Sequence, residues 1–137
     1  MKPFTYTLLF LILFVGIQQI SFGHSGHNHE PAVEPAPHGG MLRNAPPFKS
    51  EVVLNKDTVK LYIYDENLKP VKLDKKQLKG DVQFPRKEKK PITFELKKDH
   101  YHTTIPGITK THRFDMHVQL EAGDKKALAD FGIDNLH

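Results

Sequence analysis

Four of the chain's nine histidines fall in one short run, H-S-G-H-N-H-E-P-A-V-E-P-A-P-H-G-G-M, as His24, His27, His29 and His38. Imidazole is the commonest metal-binding side chain and suits copper, zinc and nickel. Gly26 and the small residues around it let the backbone curl until two or three rings meet one ion. Glu30 and Glu34 add carboxylate oxygens. Pro37 ahead of His38, with Gly39 and Gly40 behind it, presents that ring at a shaped bend. Met41 follows with a thioether, a donor that favours Cu(I) or Ag(I). The chemistry expected here is capture of a transition-metal ion, copper or zinc, with nickel or silver as alternatives. His24, His27, His29, His38 and Met41 are the expected ligands.

His100 and His102 form a second pair. They stand two apart in D-H-Y-H-T, and on a strand they project to the same face. They are candidate ligands, with polar loop residues as the competing reading. His112 and Met116 fall on the apolar phase of their strand and read as core. His117 reads as outward-facing.

Enzyme signals are poor. There is no nucleophile elbow, no phosphate-binding glycine loop and no H-E-x-x-H. A non-enzymatic protein is expected. The alternative is a copper oxidase in which His24, freed as a new N-terminus, chelates copper through its amine and its ring.

The stretches that must position these groups divide the chain into three. Residues 1–23 carry Lys2, an apolar run from Leu8 to Ile17, and Ser21 and Gly23 at small-x-small spacing, the three parts of an export signal. The apolar run is about half of the roughly 20 residues that a span needs, so no lasting membrane insertion is expected. Residues 24–47 have too few apolar groups to offset the entropy of ordering a backbone, and read as a flexible His/Pro/Gly-rich metal-binding tail. Residues 48–137 carry the foldable sequence. The setting expected is periplasmic or secreted. The chain has no cysteine, which excludes disulfides, thiolate metal sites and a lipid-modified cysteine anchor.

The formal net charge is +4. Its lysine-rich stretches, 72–79 and 86–90, are interspersed with acids and read as protection of turns and strand edges rather than a nucleic-acid interface.

From Ser50 onward the apolar period is two. Ser50, Val52 and Leu54 alternate with Glu51 and Val53. Asn55-Lys56-Asp57 turns, and Val59, Leu61 and Ile63 alternate with Lys60, Tyr62 and Tyr64, which predicts a hairpin. Val71 and Leu73 suggest a short edge strand. Asp74–Gly80 reads as one helical turn stopped by glycine. Val82 and Phe84, then Ile92, Phe94 and Leu96, and then Phe114 to Leu120, continue the alternation. Ala127, Ala129, Phe131 and Ile133 favour a closing strand over a helix. Six to seven short strands predict an all-β fold, a single antiparallel β-sandwich of immunoglobulin-like type, with a small barrel as the alternative.

P-H-G-G at 37–40, an acidic residue inside S-E-V-V-L, and L-Y-I-Y-D followed by K-P-V resemble small exported His-rich proteins of heavy-metal handling. They are similar to segments that precede some periplasmic adaptor subunits of heavy-metal efflux pumps. The likeness covers roughly residues 37–133, and His38 alone carries over to a shared motif. It implies an Ig-like β-domain, a periplasmic setting, and binding of copper, silver, zinc or nickel. It also implies a heavy-metal efflux component as partner. The chain lacks the coiled-coil hairpin and lipoyl-like halves of an adaptor, so the likeness implies a free-standing soluble version. A metal-independent interaction module of the cell envelope is the competing reading of the same domain.

Overall fold

The computed structural model describes residues 34–74 and 78–135. The export signal, His24, His27 and His29, and the terminal His137 lie outside the described residues.

The described chain forms two antiparallel sheets packed face to face, the all-β sandwich that the period-two pattern predicts. Its nine strands are β1 (Met41–Ala45), β2 (Phe48–Asn55), β3 (Thr58–Tyr64), β4 (Leu78–Gln83), β5 (Lys90–Ile92), β6 (Glu95–Leu96), β7 (Tyr101–Thr104), β8 (Arg113–Ala122) and β9 (Lys125–Asp134). Sheet A runs β1-β2-β3-β7-β6 and sheet B runs β5-β4-β8-β9. The count exceeds six to seven because β5 and β6 are fragments of three and two residues.

Alternation decides which face of each strand is inside. Val52 on β2, Val59, Leu61 and Ile63 on β3, and Tyr101 on β7 bury from sheet A. Val82 on β4, Phe114, Met116, Val118 and Leu120 on β8, and Ala127, Ala129, Phe131 and Ile133 on β9 meet them from sheet B. Non-directional burial of this apolar area is the main favourable term. The expected hairpin is β2–β3, with Leu54 opposite Val59 and Asn55 opposite Thr58. Residues 125–134 are strand, as the spacing of their alanines and Phe131 favours.

Four expectations are corrected. The sandwich starts before Phe48: β1 is a full edge strand, Met41 to Ala45, hydrogen-bonded to β2. Its exposed polar residues, Arg43 and Asn44, disguise it as tail. Val71 and Leu73 are not strand. Val71 donates one backbone hydrogen bond to Ile63 O at 3.1 Å and the segment then leaves the sheet. Leu78–Gly80 is strand rather than helix, paired with Val118–Leu120; residues 75–77 lie outside the description. Gly80 is there for space, since a Cβ would sit 2.7 Å from Phe94 Cε2. His112 is exposed just before β8 rather than part of the core.

Candidate functional site

Phase along β2 and β3 puts Glu51, Tyr62 and Tyr64 on the outer face of sheet A, opposite the core. Glu51 stands directly across from Tyr62, and Lys49 from Tyr64. An outer face is normally wet, yet Glu51 is fully buried, and Tyr62 and Tyr64 are buried too. The cover is the Pro37-His38-Gly39-Gly40 turn.

That turn is built from its own sequence. Pro37 fixes φ at the second position of a turn closed by Gly39 N–H to Ala36 O, 3.0 Å. Gly39 takes φ +71, a conformation glycine adopts without a Cβ penalty. Gly40 then lies so close to β2 that a Cβ would collide with the Val52 carbonyl and come within 2.8 Å of Val53 Cγ2. Lys49 also holds the incoming chain, by an ion pair to Glu34.

Glu51 fastens the turn to the sheet. Its Oε1 accepts from the backbone N–H groups of His38 (2.9 Å) and Gly40 (2.8 Å). Its Oε2 accepts from the Tyr64 hydroxyl at 2.7 Å and, more distantly, faces His38 Nδ1 at 3.3 Å. Burial alone pushes the Glu51 carboxyl up. The hydrogen bonds from Tyr64, Gly40 and His38 together outweigh burial and hold it below its ordinary value of 4.5. The Tyr64 hydroxyl is pushed well up by burial and by its bond to Glu51. It therefore stays a proton donor.

The same network sets the imidazole. His38 Nδ1 lies 2.7 Å from the Tyr64 oxygen. The phenol gives its one proton to Glu51, so its lone pair accepts from His38, and Nδ1 carries the proton. In the neutral ring Nε2 then holds a free lone pair. The ring stacks on Tyr62, centroids 3.8 Å apart and planes 13° apart. It leaves 41% of its side chain exposed.

His100, just before β7, approaches Tyr62 on the same outer face. Its ring lies 5.2 Å from that of Tyr62. Its Nδ1 is 2.7 Å from Asp99 Oδ1, which again leaves Nε2 available. That hydrogen bond, first among the causes, holds the Asp99 carboxyl below its usual range against desolvation.

The chain matches no protein-family model, and neither a curated protein nor a solved structure is found to be similar to it. The site therefore rests on its own geometry.

The expected ligands fare differently. His38 and His100 gather around Tyr62. His102 shares the outer face with His100, because Tyr101 between them is buried in the core, and it stands opposite Lys60 on β3 and Glu95 on β6. Met41 faces the other way: it pairs with Val52 and packs against the core, on the side of the sheet away from Glu51. Among the described residues no three His, Asp or Glu side chains converge closely enough to hold a metal ion. Glu51, Tyr62 and Tyr64 are the residues that sequence reading passes over. Their signal is a carboxylate in the middle of an apolar strand facing two tyrosines spaced two apart.

Proposed function

We propose that the chain is an exported transition-metal-binding protein that buffers or delivers copper- or zinc-class ions. The observation that supports this is the Glu51–Tyr64–His38 network. An imidazole pinned through Nδ1 by a carboxylate-backed donor–acceptor chain, with Nε2 facing outward, is how proteins orient a metal ligand and raise its basicity. His100, pinned through Nδ1 by Asp99, offers a second Nε2 nearby. In this reading His24, His27 and His29 supply the remaining imidazoles, and Met41, turned to the core, is a structural residue rather than a soft donor. A heavy-metal efflux component is the partner of the same proposal.

Titration of the protein with Cu(II) and Zn(II), alongside His38→Ala and a deletion of residues 24–33, tests it. The deletion stops short of Glu34 so that the clamped turn and β1 stay intact. His38→Ala is expected to weaken binding at least tenfold and the deletion more. Binding is expected to weaken below about pH 6, since a ligating imidazole must be unprotonated. Wild-type protein that retains no more copper or zinc in equilibrium dialysis than a protein without histidine clusters would refute the reading.

A metal-independent interaction module is the second reading. An open concavity of about 510 Å³ between β4–β5 and β7, lined by Val82, Phe84, Ile92 and Ile105, favours it. Partner capture that survives chelation and His38→Ala would support that reading over the first.

A further inference from the structure

Sheet B ends in an edge that the fold leaves bare. The other edge strands are short: β1 has five residues, β5 three and β6 two. β9 has ten, and among the described residues it pairs with β8 alone. A long edge presents a row of unpaired backbone donors and acceptors that templates another strand. Leu128 stands on its outward phase, 67% exposed, the one large exposed hydrophobic side chain among the described residues. At the far end of β9, Ile133 and Asp134 share a concavity with Gly40 and Met41 at the start of β1.

We propose that this edge pairs with the same edge of a second copy of the chain. Two copies of β9 joined antiparallel about a two-fold axis would merge the two B sheets into one eight-stranded sheet. Within a continuous sheet, directly opposed side chains lie on the same face, so the two-fold axis passes through a residue, and four registers are central. Centring on Ala127 sets Leu128 against Lys126 and Asp130 against Asp124. Centring on Asp130 sets two carboxylates face to face. Centring on Ala129 sets Leu128 against Asp130. Centring on Leu128 sets Leu128 against its own copy, and places each Lys126 opposite Asp130 of the other chain. Of these registers, only that one joins the apolar residue to itself and sets Lys126 against Asp130.

The charge order extends inward. Glu121 already faces Lys126 across β8–β9, and Asp81 and His117 line up behind Asp130. The junction therefore continues an alternating row: Glu121 and Lys126 of one copy, then Asp130, His117 and Asp81 of the other. Asp130 is 77% exposed and holds His117 Nδ1 at 2.6 Å, so a second oxygen remains for the incoming lysine. Lys125 and Lys126 discourage pairing with arbitrary strands, and in this register Lys126 meets Asp130. One strand from each chain buries little area, so the dimer is weak.

Sedimentation of the full chain in EDTA, over a hundredfold range of concentration, tests the proposal apart from metal-bridged association through the histidines. The expected result is a monomer–dimer equilibrium that Leu128→Asp abolishes, with unchanged far-UV circular dichroism. Lys126→Asp and Asp130→Lys should each weaken the dimer at least tenfold, and the double exchange should restore it. Because the chain has no cysteine, Leu128→Cys provides a unique probe. It should oxidise to a covalent dimer much faster than Lys87→Cys in the exposed β4–β5 loop. A wild-type monomer at every concentration, or equal cross-linking of the two cysteine variants, would overturn the proposal. So would a charge exchange that fails to restore association.

Discussion

The outer faces of the two sheets carry the same pairing in opposite surroundings. On sheet A, His38 Nδ1 meets the Tyr64–Glu51 pair under a turn that excludes water, with Glu51 wholly buried. On sheet B, His117 Nδ1 meets Asp130 at 2.6 Å on an open surface, with Asp130 77% exposed. The shorter contact is the weaker one. An exposed ion pair exchanges good hydration for modest attraction in water, and such pairs contribute about 0–1 kcal/mol. A buried carboxylate that satisfies several donors is different, because removing it strands every one of them. Distance ranks these two contacts wrongly, and burial together with the count of dependent donors ranks them correctly.

Glu51→Ala against Asp130→Ala is the sharpest break in the comparison. Glu51→Ala leaves the N–H groups of His38 and Gly40 and the Tyr64 hydroxyl without their acceptor. The expected loss is about 3 kcal/mol or more in urea unfolding. Asp130→Ala is expected to cost under about 1 kcal/mol. Equal losses would mean that the turn does not depend on the carboxylate. Acid separates the faces as well. The Glu51 carboxyl titrates lower folded than unfolded, since its hydrogen bonds outweigh its burial. Its contribution is therefore fully present above about pH 4.5 and disappears as pH falls through the folded value. Glu51→Gln should flatten that acid limb of the stability profile, whereas Asp130→Asn should leave it in place.

Gly40→Ala comes next. The added Cβ collides with the Val52 carbonyl, and backbone on both sides cannot yield as a flexible side chain would. An expected cost of about 2 kcal/mol follows from overpacking at a fixed backbone. The change should also lift His38 off Tyr62, readable as altered tyrosine signals in near-UV circular dichroism. Gly132, on the open face of sheet B, faces the movable end of Arg113 at 2.9 Å and, in ordinary contact, Asp115 Oδ1 at 3.5 Å, so Gly132→Ala should be nearly silent.

The same contrast explains what could be read from the sequence. Strands whose apolar residues alternate with polar ones are legible, because the period is written directly into them: β2, β3, β8 and β9 all follow it. So is the bend at His38, since proline and two glycines spell a turn. The burial of Glu51, Tyr62 and Tyr64 is not legible from phase, which only assigns them to the outer side. What buries them is a turn eleven or more residues earlier, and no periodicity reports that contact. β1 was hidden for the same reason. As an edge strand with Arg43 and Asn44 both exposed, it carries too little apolar pattern to separate from the tail. Gly80 misleads in the opposite sense: it looks like a helix stop and instead makes room for Phe94 from a neighbouring segment.

Tyr64→Phe is the smallest and most selective test. It keeps the ring and removes one oxygen, so the sheet and the stack on Tyr62 should persist, at a cost of about 1 kcal/mol. The Glu51 carboxylate still accepts from His38 and Gly40, which keeps the turn in place. His38 Nδ1 is left with Glu51 Oε2 alone, at 3.3 Å. The ring then loses its firm orientation and the tautomer that leaves Nε2 free. If His38 ligates metal, affinity for Cu(II) or Zn(II) should fall about tenfold with little change in stability. Asp130→Asn, which removes the charge behind His117, should leave that affinity unchanged. A Tyr64→Phe protein that binds as the wild type does would confine the network to a structural role, fastening a turn to a sheet.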